Sequence, residues 1–160
     1  ERVKDTFHSV RCAKKKTYYY SFYFSSVPLP LKERYACRID ETVDVKKMRD
    51  CLLLFWGKHD FKAFSSAGSS VKTSEREIYD IDLKDEDGFL RLYVTGNGFL
   101  YNMVRIIAGT VLAVGQGQKS EEDIMTAFKT KERAFAGKTL TSKGLTLKRA
   151  EYSKEDYLSD

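Results

Sequence analysis

The chain has 160 residues, 42% apolar and 32% charged, with 28 Lys or Arg against 23 Asp or Glu for a net charge of +5. That length supports one domain of ordinary size, or one lobe of something larger, with a core that needs no covalent staples. The apolar fraction excludes a disordered chain, and two prolines with ten glycines exclude collagen-like and low-complexity classes.

The first residues, Glu1-Arg2-Val3-Lys4-Asp5, are charged and no apolar run follows them, so no signal peptide is expected. An initiator Met is lacking, and a fragment or processed product is the expectation. Thr17 to Phe24 is dense in aromatic residues and reads as a strand, ended by Pro28 and Pro30. Thr42 is placed to cap a helix on which Val45, Met48, Cys51, Leu52, Phe55 and Trp56 recur at helical spacing until Gly57. A loop covers Ser65 to Ser70. Residues 75–83 and 89–95 alternate around the turn Asp85-Glu86-Asp87-Gly88 and form a hairpin. A helix follows from about Phe99 to Val114, and Ser120 with Glu121, Glu122 and Asp123 caps another through about Phe128. Gly144 to Tyr152 is a last strand, and 1–6 and 153–160 are expected to be loose ends. The order is βαββαβ-like: an α+β fold, an antiparallel sheet with helices packed on one face. No membrane span is expected, because the apolar stretch at 99–114 contains Asn102 and Arg105.

Cys12, Cys37 and Cys51 are odd in number and widely spaced, and the only histidines are His8 and His59. Neither a metal site nor a disulfide scaffold is expected, and reduced thiols fit a cytoplasmic protein. The charge is uneven: +4 over residues 1–20, +6 over 128–149, −3 over the last eleven and −2 between. Two basic blocks around an acidic centre suit a partner carrying phosphates, although two solvated Lys-rich surfaces would look the same.

Arg105 is the one charge between Gly96 and Gln118. Leu100, Met103, Val104, Ile107, Val111 and Val114 form an apolar stripe that Tyr101, Ile106, Ala108 and Leu112 widen, so this helix should be largely buried. A buried guanidinium needs a carboxylate, a phosphate or carbonyl oxygens. Either it pairs with an acid of this chain such as Asp60, or snorkels to solvent, or it holds a reactive carboxylate or a substrate phosphate. The aromatic strand is similarly ambiguous. Tyr18 and Tyr20 share one face and Tyr19 and Tyr23 the other, beside Lys14, Lys15 and Lys16. That is the composition of a base-stacking platform, but most of these rings are expected to be packing.

Residues 96–110, Gly-Asn-Gly-Phe-Leu-Tyr-Asn-Met-Val-Arg-Ile-Ile-Ala-Gly-Thr, closely resemble the signature helix of the TruA family of tRNA pseudouridine synthases. Other segments agree in order. Phe7 to Tyr20 is similar to the family's Phe-His-Ala-Arg segment and Tyr-x-Tyr strand. His59-Asp60-Phe61 matches its His-Asp-Phe motif, and Ala136 to Thr139 with Gly144 to Leu147 matches its closing segment. The resemblance spans about Phe7 to Tyr152 and implies a single C-terminal lobe over 1–160 of a homodimeric, cofactor-free isomerase acting on the tRNA anticodon stem-loop. The family's catalytic aspartate lies in an Arg-Thr-Asp motif of the N-terminal half, and no such stretch occurs here. A chain without it is expected to be inactive alone.

The resemblance gives Arg105 the role of pairing with that aspartate. It gives Tyr18 stacking on the base and late removal of the C5 proton, and Leu145 packing against a flipped base. Arg11, Lys14, Lys15, Lys16, Lys138 and Lys143 would grip RNA phosphates. Two departures stand out. Val10 occupies a place where the family commonly has Arg, with Arg11 one position on, and Leu140-Thr141 replaces an Ala-Pro pair. A different class of reading remains: a non-catalytic RNA-binding domain with an RRM-like sheet.

Overall fold

The structure, a computed structural model, describes residues 3–9, 12–39, 42–68 and 73–157. Its elements in order are β1 (Lys15–Phe24), α1 (Pro30–Glu33), β2 (Cys37–Ile39), α2 (Val45–Asp50), β3 (Gly57–Asp60), β4 (Glu75–Glu86), β5 (Phe89–Gly96), α3 (Met103–Gly115), α4 (Glu121–Thr130) and β6 (Leu145–Glu151). They form a six-stranded sheet ordered β2-β1-β5-β4-β3, with β6 also paired to β1.

Strand β1 is central. One side carries β5 along Lys16 to Phe22; the other carries β6 along Lys15 to Tyr20 and then β2 along Phe22 to Phe24. The β1–β2 pair is parallel, so the sheet is mixed and not wholly antiparallel as the pattern suggests. The short α1 turns the chain back before β2, and three residues are too few to carry an alternation readable in the sequence. The β4–β5 hairpin closes through Asp87 (φ 55) and Gly88 (φ 74), the two positive φ values that match the turn to the strand twist.

The helix expected at 45–57 is shorter. Asp44, not Thr42, caps α2, its Oδ1 accepting from the Lys47 amide at 3.1 Å. A 3₁₀ turn, Cys51–Phe55, follows and turns Leu53 and Trp56 outward, 79% and 60% exposed. Tightening from 3.6 to three residues per turn takes Trp56 off the apolar stripe. For α4 the cap is as read: Ser120 and Asp123 form a reciprocal capping box.

Helices α2 and α3 contribute Met48, Met103, Ile107 and Val111 to a core with Tyr20, Phe22, Leu90 and Leu92 of the sheet. The opposite sheet face is covered by long side chains. Arg91 lies over the rings of Tyr19 and Phe89 and pairs with Glu86 at 3.1 Å, while Lys148 lies over Tyr93. Within the end stretches expected to be loose, Val3 bridges Tyr157, and just inside them the rings of Phe7 and Tyr152 pack edge to face at 4.9 Å. Among the described residues no helix is long and apolar enough to cross a membrane, and no group of three or more His, Cys, Asp or Glu could hold a metal ion. All three cysteines are free.

Candidate active site

Where the start of α3 meets the edge of β1 and the turn before β6, an open cleft of about 300 Å³ is lined by Tyr18, Phe99, Asn102, Arg105, Ser142 and Leu145 among others. It gathers the three residues assigned catalytic roles by resemblance. Each is placed by a different piece of local chemistry.

Helix α3 begins at Met103, four residues later than its periodicity suggests. Asn102 has left-handed backbone, φ 61, which cannot continue a right-handed helix. Tyr101 is therefore left outside the helix and 59% exposed, not on the buried stripe. Every residue of α3 except Arg105 is buried. The Arg105 Nε donates to the Leu140 carbonyl at 2.6 Å and its Nη1 to Asn102 Oδ1 at 2.7 Å. No carboxylate pairs with it among the described residues. Asp60 is engaged elsewhere, with Lys131 Nζ at 2.7 Å from its Oδ2. Burial pushes the Asp60 carboxyl up, but hydrogen bonds from Lys131, Ser74 and the Lys62 amide outweigh it and leave it below its usual value. Of the alternatives open for Arg105, the pairing with Asp60 is therefore not the one formed: carbonyl and amide oxygens satisfy part of the guanidinium, and its Nη2 binds nothing among the described residues.

The segment that supplies Leu140 is laid directly on α3. A Cβ on Gly109 would lie 1.9 Å from the Lys138 carbonyl oxygen, and one on Gly137 would lie 2.5 Å from Gly109 backbone. Only two glycines allow backbones so close. Thr110 Oγ1 then accepts from the Gly137 amide at 2.8 Å.

Tyr18 is half-buried, and its ring meets Phe99 edge to face at 5.3 Å. Its hydroxyl has no hydrogen-bond partner among the described residues. A phenol keeps its proton at neutral pH, and burial raises the Tyr18 pKa further. That state favours stacking and hydrogen-bond donation over taking a proton. Leu145 opens β6 opposite Tyr20. The turn before it rests on Tyr20, whose hydroxyl donates to the Thr141 carbonyl at 2.8 Å. Half of the six rings on β1 are core packing: Tyr20, Phe22 and Tyr23 are wholly buried.

The basic residues are less uniform than their grouping suggests. Lys14 and Lys138 are exposed. Lys15 lies 3.6 Å from Glu151. Lys143 is paired with Glu33, which lowers the Glu33 carboxyl pKa and takes up the charge expected to face RNA. Lys16 is partly buried on β1. Arg11 and Val10 lie outside the described residues. Asn102, Phe99 and Ser142 line the cleft and the Leu140 carbonyl holds Arg105, and the residue pattern singles out none of them as site residues. An Asn three positions before a lone Arg is the one signal that would have pointed to the first.

A family model described as tRNA pseudouridine synthase matches residues 52–153. Similar proteins include the tRNA pseudouridine synthase A of Bacillus sp. (strain KSM-64), 42% identical over 135 residues, 84% of this chain and 55% of that protein. The tRNA pseudouridine synthase A 2 of Clostridium perfringens (strain 13 / Type A) is 39% identical over 152 residues, 95% and 62% respectively. The tRNA pseudouridine synthase A of Acetivibrio thermocellus is 40% identical over 147 residues, 92% and 60%. The chain spans 55 to 62% of the length of these relatives. By the extent and identity of these matches, the chain belongs to the tRNA pseudouridine synthase family.

Proposed function

We propose that these 160 residues are the C-terminal lobe of a tRNA pseudouridine synthase that isomerises uridine to pseudouridine in the anticodon stem-loop. The observation that carries this reading is Arg105: a guanidinium held by Leu140 and Asn102 in a cleft with Tyr18 and Leu145, which among the described residues has no partner at Nη2 and no acid beside it. An aspartate from the other half of the enzyme completes the arrangement. Its charge is stabilised by Arg105, so it stays ionised near neutral pH.

The reaction breaks the bond from C1′ of the ribose to N1 of uracil and forms one from C1′ to C5. The proton lost from C5 is balanced by one gained at N1, so the composition is unchanged and no cofactor is needed. Tyr18 stacks on the base, Leu145 packs against it once it has left the loop, and Lys14 and Lys138 meet phosphates. The complete enzyme is a homodimer with tRNA across both subunits, and it works in the cytoplasm.

The reading as a non-catalytic RNA-binding sheet is less well supported. Such a sheet offers ring faces to bases on the side away from the helices, whereas there Tyr23 is not exposed, Tyr93 is 8% exposed, and Arg91 lies over the rings of Tyr19 and Phe89. The test is pseudouridine formation on an anticodon stem-loop tRNA. The 160 residues alone should form none, and the chain joined to an Arg-Thr-Asp-bearing half should turn over. Turnover by the 160 residues alone, or none by the joined protein, would refute the reading.

A further inference from the structure

Asn102 carries a backbone conformation that starting a helix does not require. The N-caps of α2 and α4, Asp44 at φ −85 and Ser120 at φ −123, are extended and bond the amides of their own helices. Asn102 sits at φ 61 and makes no such bond. A non-glycine residue in left-handed backbone is uncommon, and such strain concentrates where the surroundings need it. The side-chain amide of Asn102 is turned to the cleft instead. Its Oδ1 accepts from Arg105 Nη1 at 2.7 Å, and its Nδ2 donates to Ser66 Oγ at 3.0 Å. The Ser66 amide in turn donates to the Tyr101 carbonyl at 3.1 Å. These bonds orient the Asn102 amide with its oxygen toward the arginine.

We propose that Asn102 is a positioning residue: its amide, anchored through Ser66, holds the Arg105 guanidinium so that the Nη1–Nη2 end faces the reacting carboxylate. The inference rests on the pseudouridine synthase reading. With Nε on the Leu140 carbonyl and one Nη1 proton on Asn102, the plane of the guanidinium is fixed from two sides. The second Nη1 proton and both Nη2 protons are left for a carboxylate, the fork geometry that arginine supplies. A guanidinium free to swing would hold the carboxylate in several poses.

Two variants of the complete enzyme test this, with kcat, tRNA KM, the pH profile of kcat and the unfolding temperature measured for each. Asn102→Gly keeps the left-handed backbone and removes both amide bonds. It should lower kcat by roughly 10- to 100-fold while KM stays within about twofold. Asn102→Asp keeps an acceptor oxygen and tolerates the same backbone, but it sets a negative charge against Arg105. The reacting carboxylate should then lose part of its stabilisation and titrate higher, moving the acid limb of kcat to higher pH. A purely structural role would lower the unfolding temperature and leave that limb in place. Wild-type kcat in Asn102→Gly, or an unmoved acid limb in Asn102→Asp, overturns the proposal while the enzyme reading stands. A wild-type enzyme that forms no pseudouridine overturns both.

Discussion

Arg105 and Leu140 hold each other twice. The Leu140 amide donates to the Arg105 carbonyl at 3.4 Å, and the Arg105 Nε donates back to the Leu140 carbonyl at 2.6 Å. The helix that carries the only partly exposed residue of α3 is therefore stitched, at that residue, to the segment leading to Leu145. The wall of the cleft depends on this contact, and so does the position of the guanidinium, together with the Asn102 bond to its Nη1.

That contact depends on Gly109. Gly109→Ala would put a methyl group 1.9 Å from the Lys138 carbonyl oxygen, and backbone on both sides cannot yield cheaply. The expected cost is about 1–3 kcal/mol of unfolding free energy, read from urea titrations. Catalysis in the complete enzyme should fall with it, because the Leu140 carbonyl moves off Arg105. A variant as stable as wild type would show that the two backbones are not closely apposed.

Leu145 packs without polar chemistry, so its removal should be felt in the step that holds the base. Leu145→Ala in the complete enzyme is expected to lower kcat by about tenfold, with stability reduced by less than a core leucine would cost, since the residue is only half-buried. Single-turnover assays with saturating tRNA measure it; unchanged turnover would remove Leu145 from the site.

Tyr20 ties stability to alkaline pH. It is wholly buried, and desolvation first, then the Cys37 thiol, raises its pKa above the ordinary tyrosine value. The unfolded chain therefore loses this proton first. The stabilisation is complete below about pH 10 and is lost as pH rises beyond it. Tyr20→Phe should cost about 1 kcal/mol at neutral pH through the lost bond to Thr141. Its unfolding midpoint should then fall less steeply between pH 9 and 11 than that of the wild type, and parallel slopes would contradict this.

The thiols should separate by exposure. Cys51 is fully buried, its thiol pushed up to about 12 by desolvation, whereas Cys12 is partly exposed. At pH 8 an aromatic disulfide reagent should label Cys12 within minutes and leave Cys51 untouched until the protein unfolds. Equal rates would mean that the core opens readily.

Much of this was legible from residue types alone. The aromatic strand, the hairpin and the Ser120 cap stand where local chemistry puts them, because each depends on neighbours in the chain. The late start of α3 was not legible. It comes from Asn102 reaching across to Ser66 and Arg105, a tertiary choice that overrides the apolar period. The helix expected at 45–57 fails for a related reason: a 3₁₀ turn and an α-helix share apolar spacing over five residues, and packing decides between them. The isolation of Arg105 among apolar residues was readable as a demand for oxygen partners. Which oxygens answered it was not, since Leu140 lies 35 residues away and contributes a carbonyl, which every residue has.

The decisive measurement is single-turnover pseudouridine formation by the complete enzyme carrying Arg105→Ala, with tRNA affinity measured in parallel. An arginine that stabilises a developing or resident charge is worth roughly 10²–10³ in rate. The expected result is a loss of that size with tRNA affinity within about threefold of wild type, since phosphates are met by other residues. Near-normal turnover, or a loss explained entirely by weaker tRNA binding, would contradict the assignment of Arg105 to the reacting carboxylate.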